Sequence, residues 1–267
     1  MGRNQWKANL DELCRNLDHY VSKLLDAPSS SATAERLSNS LYLANSASDA
    51  NFSAICASGY LSSATRIGRS VRPDCPEAIL RTVGSVFFYV APFRYPHTGC
   101  GLLFAHSLES EHENDGVATP FDSGGLVSVF SRRNPAESPQ DFLSHHELPI
   151  PDHRRYLCRS MDALFHKPED YVEGSQPRWP GPIGLDGGDQ RRWTHEVRIP
   201  DRVPVRGSHL QAVFAPKARV AANPAVEDLF QWCATEGVDR ISFDTPRGDD
   251  FEALRRECRD YIRRKLY

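Results

Sequence analysis

Regular hydrophobic patterning stops at Leu108 and does not return until Glu196. The stretch between, Leu108–Gly188, is rich in charge, Pro, Gly and His, and its periodicity supports one helix, around Arg154 to Phe165. So long and weakly periodic a middle reads as functional loops more than core. The fold must therefore be built from two patterned blocks on either side of it.

In the first block, Trp6, Leu10, Leu13, Leu17, Val21 and Leu24 recur at spacings of three and four, which predicts an amphipathic helix over 5–25. Pro28-Ser29-Ser30-Ser31-Ala32-Thr33 ends it as a linker. Leu41-Tyr42-Leu43 reads as a short strand. Ser48 to Ser58 reads as a helix capped by Ser48 or Asp49, with Phe52, Ile55 and Cys56 inward and Gly59 as its stop. Val86–Val90 and Gly101–Ala105 are apolar, strand-like runs. In the second block, Glu196-Val197-Arg198-Ile199 alternates polar and apolar, and Gln211–Ala215 and Arg240–Phe243 are further strands. Ala225–Thr235 forms a helix with Gly237 just beyond it. A terminal helix turns Phe251, Leu254, Cys258, Tyr261 and Ile262 inward. The expected class is α+β: an N-terminal helix and linker over 1–36, then one domain over 37–267 interrupted by a loop-rich insertion at about 106–188.

Composition narrows the function. Net charge is −3, from 32 Lys and Arg against 35 Asp and Glu, which excludes an overall basic nucleic-acid coat but leaves room for local patches. No apolar run approaches the roughly 18 residues of a membrane span. The charged N-terminus, with Lys7, Asp11, Glu12, Arg15 and Asp18, is not a signal peptide, so a soluble, cytoplasmic protein is expected. Seven scattered cysteines contain no CxxC pair and read as free thiols in a reducing compartment.

Several motifs fail on spacing. Asp122-Ser123-Gly124-Gly125 is similar to a serine-protease nucleophile loop, but the nearest upstream histidine, His106, is too close in sequence; the segment reads as a tight turn. His97, His106, His112, His145, His146 and His153 cluster without HExxH or His-x-His-x-Asp spacing, and read as solvated loop histidines. There is no Walker A loop and no GxGxxG after a strand.

Three segments fit one chemistry. Leu41–Ser46 followed by Asn51–Leu61 takes a strand into a helix whose start offers N–H groups to a phosphate or an amide. Phe87-Phe88-Tyr89-Val90-Ala91-Pro92-Phe93-Arg94-Tyr95-Pro96 supplies aromatic faces and an arginine. Asp189–Pro200 sets a carboxylate, Glu196, at the start of a strand, where its side chain need not be buried. Together these resemble the ADP-ribosyltransferase superfamily, most closely the DarT-type DNA ADP-ribosyltransferase toxins, over roughly 40–105 and 185–245.

The resemblance implies a split β-sheet core with flanking helices, NAD as substrate, no metal, and transfer of ADP-ribose to a macromolecule, nucleic acid favoured. Glu196 matches the catalytic glutamate and Arg94 the NAD-contacting arginine, after a one-residue insertion. Tyr42, Asn45, Ser46, Tyr89, Tyr95 and Arg192 are the expected cofactor-binding residues: Tyr89 or Tyr95 to stack on the nicotinamide, and Asn45 to bond its amide or ribose. Where the family commonly has His-x-Thr, this chain has Leu43-Ala44-Asn45. Two other readings stand beside this one. One is an inactive NAD- or nucleic-acid-binding module of the same fold, and the other a metal-dependent hydrolase using the histidine-rich loops.

Overall fold

A computed structural model describes residues 31–90, 92, 99–125, 127, 138–177, 190–245 and 250–266. The chain divides into two units, Leu41–Ser70 with Gly84–His112 and Arg198–Tyr267, and Met1–Ser40 with Val71–Val83 and Glu113–Val197. The expected helix over 5–25 lies outside the described residues.

The unit holding the C-terminus is built on a sheet. Its strands run, in spatial order, Asp239–Phe243, Leu210–Pro216, Cys100–Phe104, Leu43–Ala47 and Ser85–Val90. All neighbours are antiparallel except the first two, which are parallel. Parallel strands need a crossover, and the helices Lys217–Ala222 and Pro224–Glu236 supply it. In Ser85–Val90 the alternation is plain: Val86, Phe88 and Val90 are buried, while the residues between them are half-exposed. Cys100–Phe104 is buried throughout, as a mid-sheet strand must be, and Phe104 meets Phe88 edge-on with ring centroids 5.5 Å apart.

Helices cover this sheet. Asp49–Ser58 buries Phe52 and Cys56, and Gly59 ends it in the left-handed conformation at φ 76°, where a side chain would be strained. Asn223 caps Pro224–Glu236 by accepting from the N–H groups of Ala225 and Val226. Its amide also donates to Ser53 Oγ at 2.6 Å, tying two helices together. Asp250–Leu266 buries Ala253, Leu254, Cys258, Tyr261 and Ile262. A two-stranded ribbon, Tyr60–Ser62 with Arg202–Pro204, completes the unit. The class is α+β with a mostly antiparallel sheet flanked by helices, as the sequence predicts. The expected strand at Leu41–Leu43 instead spans Leu43–Ala47, because its register is set by pairing with Cys100–Phe104.

The other unit is mainly helical. Ile150–Leu164 is its longest described helix and buries Ile150, His153, Tyr156, Leu157, Ser160, Met161 and Leu164 at helical spacing. Ala32–Ser38 packs on it, fastened by Ser31 Oγ to Asp162 at 2.8 Å and by Arg154 to the Ser38 carbonyl at 2.7 Å. Leu80, Phe121 and Leu143 form a small cluster backed by Phe142. Val117–Thr119 pairs with Leu148–Pro149.

The loop-rich reading of 106–188 needs correction at the level of its elements. Besides Ile150–Leu164, its described residues form helices at Ser107–Glu111, Pro139–His145 and Glu169–Glu173. These are too short to show a period. Pro139, Pro149, Pro151 and Pro168 sit at or beside helix starts, where the missing N–H costs nothing. No described helix is long and apolar enough to cross a membrane.

Candidate active site

Glu196 opens the strand Glu196–Pro200. A single 3-10 turn, Gln190–Arg192, leads into it, with the carbonyl of Gln190 accepting from the Thr194 hydroxyl at 2.8 Å. Alternation in this strand predicts polar side chains facing water. The structure overturns that: Glu196, Val197, Arg198 and Ile199 are all buried, and Glu196 is only 1% exposed.

A buried carboxylate must find donors, because losing its water shell is costly. Ser123 supplies one, its backbone N–H donating to Glu196 Oε2 at 3.2 Å. Ser123 lies in the Asp122–Gly125 turn. Asp122 Oδ1 accepts from the Gly124 N–H at 2.8 Å, and the Asp122 carbonyl from the Gly125 N–H at 3.0 Å. The Asp122 N–H in turn donates to the Arg191 carbonyl at 2.9 Å, fastening this turn to the 3-10 turn that precedes Glu196. Where composition predicts a tight turn, residues 123–125 instead begin a helical turn, capped by Asp122. Its role beside Glu196 is not readable locally, since 73 residues separate the two partners.

His195, next in the chain, is held from both sides. Its Nε2 is 3.1 Å from Ser160 Oγ, its Nδ1 is 3.2 Å from His153 Nε2, and its backbone N–H donates to the Tyr171 hydroxyl at 3.3 Å. Ser160 spends its one hydroxyl proton on the Leu157 carbonyl, so His195 Nε2 donates to Ser160. The solvated-loop reading of the histidines is thus wrong for His146 and His153. Both are buried: His153 in this chain of bonds, and His146 stacked on Phe142 with its Nδ1 on the Phe142 carbonyl. Among the described residues, no group of three His, Cys, Asp or Glu is arranged to hold a metal ion.

The expected NAD-binding residues Tyr42, Asn45, Ser46 and Tyr89 belong to the sheet unit, and all four are half-buried. Pairing of Ala44 with Tyr89 and Leu43 with Val90 puts the first two recognised segments on neighbouring strands. Asn45 stitches them, its amide donating to the Phe87 carbonyl at 2.9 Å. Tyr42 lies 5.9 Å from the Tyr261 ring of the C-terminal helix, and burial pushes its hydroxyl pKa up. Asp49 occupies the helix start expected to meet a phosphate or an amide, and its carboxylate pairs with Arg219. Arg192 has its backbone in the 3-10 turn. Arg94 and Tyr95 lie outside the described residues. Glu196 belongs to the other unit.

No family model matches the chain, and no curated protein matches it. Solved structures similar to it include Thermus sp. 2.9 DarT in complex with ADP-ribosylated ssDNA, at a TM-score of 0.42 and 10% identity, covering 77% of this chain and 94% of that one. Two others are the same protein in complex with NAD+ (TM-score 0.39, 8% identity, 77% and 95% covered) and with carba-NAD+ (0.38, 9%, 77% and 95%).

Proposed function

We propose that this chain is an NAD-dependent mono-ADP-ribosyltransferase, a pentosyltransferase that modifies a macromolecular acceptor, with nucleic acid the favoured class. The observation that carries the reading is the buried carboxylate of Glu196, fixed by the Ser123 N–H at the strand start where the sequence resemblance expects the catalytic acid. An ordinary strand glutamate lies in water, whereas an acid taken out of water and held by a backbone donor is a candidate functional group.

The chemistry suits such a group. In the substrate, the bond between nicotinamide and ribose C1 breaks with its electron pair leaving on the nicotinamide nitrogen. Positive charge develops on the ribose, an acceptor oxygen or nitrogen bonds to C1, and the acceptor's proton is released. Glu196, bonded to the ribose 2-hydroxyl, would strengthen its hold as that charge grows. The sequence resemblance gives Arg94 the diphosphate side, Asn45 the amide or ribose, and Tyr89 or Tyr95 the nicotinamide face, with Tyr42, Ser46 and Arg192 completing the NAD-binding set. Asn45 donates one of its two amide N–H groups to the Phe87 carbonyl, and the reading gives its other N–H or its oxygen to the ligand.

The test is incubation with NAD labelled in the adenylate, in the presence of single-stranded DNA, RNA and mixed protein acceptors, with nicotinamide followed by chromatography. Label on nucleic acid together with nicotinamide release is expected. Label on protein alone would move the acceptor class, and no nicotinamide release with any acceptor would overturn the reading.

A further inference from the structure

We propose that Asp122 is a positioning residue for Glu196, its carboxylate folding the turn that aims the Ser123 N–H at Glu196 Oε2. The inference rests on Glu196 being the reacting acid.

Asp122 and Ser123 are both 2% exposed, so an acid has been buried beside the buried Glu196 within one unit. Two like-charged groups in the same interior oppose each other unless each is given its own donors. The turn performs that separation. Asp122 Oδ1 accepts from the N–H two residues on, at Gly124, which caps the helical turn begun by residues 123–125. The Gly125 N–H closes on the Asp122 carbonyl. With the N–H groups of Gly124 and Gly125 both committed to Asp122, the intervening Ser123 N–H is left pointing at Glu196.

The arrangement also closes a ring. The Asp122 N–H holds the Arg191 carbonyl at 2.9 Å, the chain runs from Arg191 to Glu196, and Glu196 Oε2 returns to Ser123 at 3.2 Å. Any change in the turn is therefore passed to the carboxylate through one peptide unit and a five-residue step of main chain. The donor to Glu196 is backbone, so Asp122 acts on it through geometry. A free glutamate side chain samples several rotamers, and a reacting group displaced by about 1 Å loses rate on the order of 100-fold.

Nicotinamide release at varied NAD, with thermal melts on the same samples, tests this. Asp122→Ala should lower kcat roughly 10- to 100-fold while KM for NAD moves less than about threefold. Asp122→Asn keeps the Oδ1 acceptor for Gly124 and should restore kcat to within about threefold of wild type. If Asp122→Ala does not fold, Asp122→Glu serves in its place. It keeps the charge but carries the acceptor past the Gly124 N–H, and its kcat should fall likewise. Unchanged kcat in Asp122→Ala or Asp122→Glu, an effect confined to KM, or Asp122→Asn as slow as Asp122→Ala would each overturn the proposal. Glu196→Gln measured alongside separates the two readings. If that variant turns over normally, the assignment of Glu196 fails; if it is inactive while Asp122→Ala keeps wild-type kcat, only the role of Asp122 fails.

Discussion

Glu196→Gln separates charge from packing at the candidate acid. The side chain is 1% exposed, so the substitution is not the neutral surface change that a strand mouth would allow. Glutamine has nearly the same volume and retains one oxygen for the Ser123 N–H, now as a neutral acceptor. A hydrogen bond to a charged group contributes about 1.5–3 kcal/mol and a neutral one about 0.5–1.5, so about 1 kcal/mol is lost at Ser123. Relief of the cost of burying a charge works in the other direction. The net change should stay within about 1 kcal/mol, a Tm shift of about 2–4 °C at this size. Catalysis should respond far more, because removing one stabiliser of transition-state charge costs about 2.7–4 kcal/mol, or roughly 100- to 1,000-fold in turnover. Differential scanning fluorimetry and nicotinamide release read the two effects on one preparation. A variant that keeps near-wild-type turnover places the acid elsewhere. One that melts more than about 10 °C lower shows the carboxylate to be structural, since the hydrogen-bond difference cannot supply so large a loss.

Other parts of the molecule give independent checks. Asn223→Ala removes a helix cap and the bond to Ser53, and should cost about 1–3 kcal/mol in urea unfolding with an unchanged m value; a loss under about 0.5 kcal/mol would refute the bridging role. Burial pushes the thiols of Cys56, Cys100 and Cys233 up to about 12, so at pH 8 iodoacetamide should label the partly exposed Cys75 well before any of these three. Peptide mass mapping reads the order, and early labelling of the three would contradict their packing. Burial alone would raise the Asp239 carboxyl, but hydrogen bonds from Lys265 and Tyr261 and the nearby Lys265 and Arg264 charges outweigh it and hold the group below its ordinary value. A depressed folded pKa gives stability that is complete above the unfolded value of about 3.9 and is lost as pH falls through the folded one. Asp239→Asn should therefore melt below wild type near pH 6 and converge with it at the acid end; a constant gap across pH would refute the linkage.

Elements whose evidence is local were legible in the sequence. Ser85–Val90 shows its alternation, and Pro224–Glu236 announces itself by an Asn cap, a Pro at its first turn and Gly237 at its end. What stayed hidden shares one cause, a partner far along the chain. Asn45 reads as a ligand residue, and local sequence does not show that its amide also meets the carbonyl of Phe87, 42 residues on. His153 reads as solvated because its partner, His195, is equally distant. Glu196 and Arg198 carry charges that local patterning assigns to water, yet both are buried.

Several of the buried polar groups fall within one unit. Asp122, His153, Ser160, His195 and Glu196 are all buried within the same unit, which has apolar residues enough to pack Tyr156, Leu157, Met161 and Leu164 along one helix. Replacing buried ionic groups with well-packed apolar ones is often neutral or stabilising, so fold stability alone does not account for burying Asp122 and Glu196 here. Sequences depart from their own local rules mainly where a site demands it. On the proposed function, a reacting carboxylate would require such a setting: the Ser123 N–H on Glu196, and beside it His195 held by Ser160 and His153.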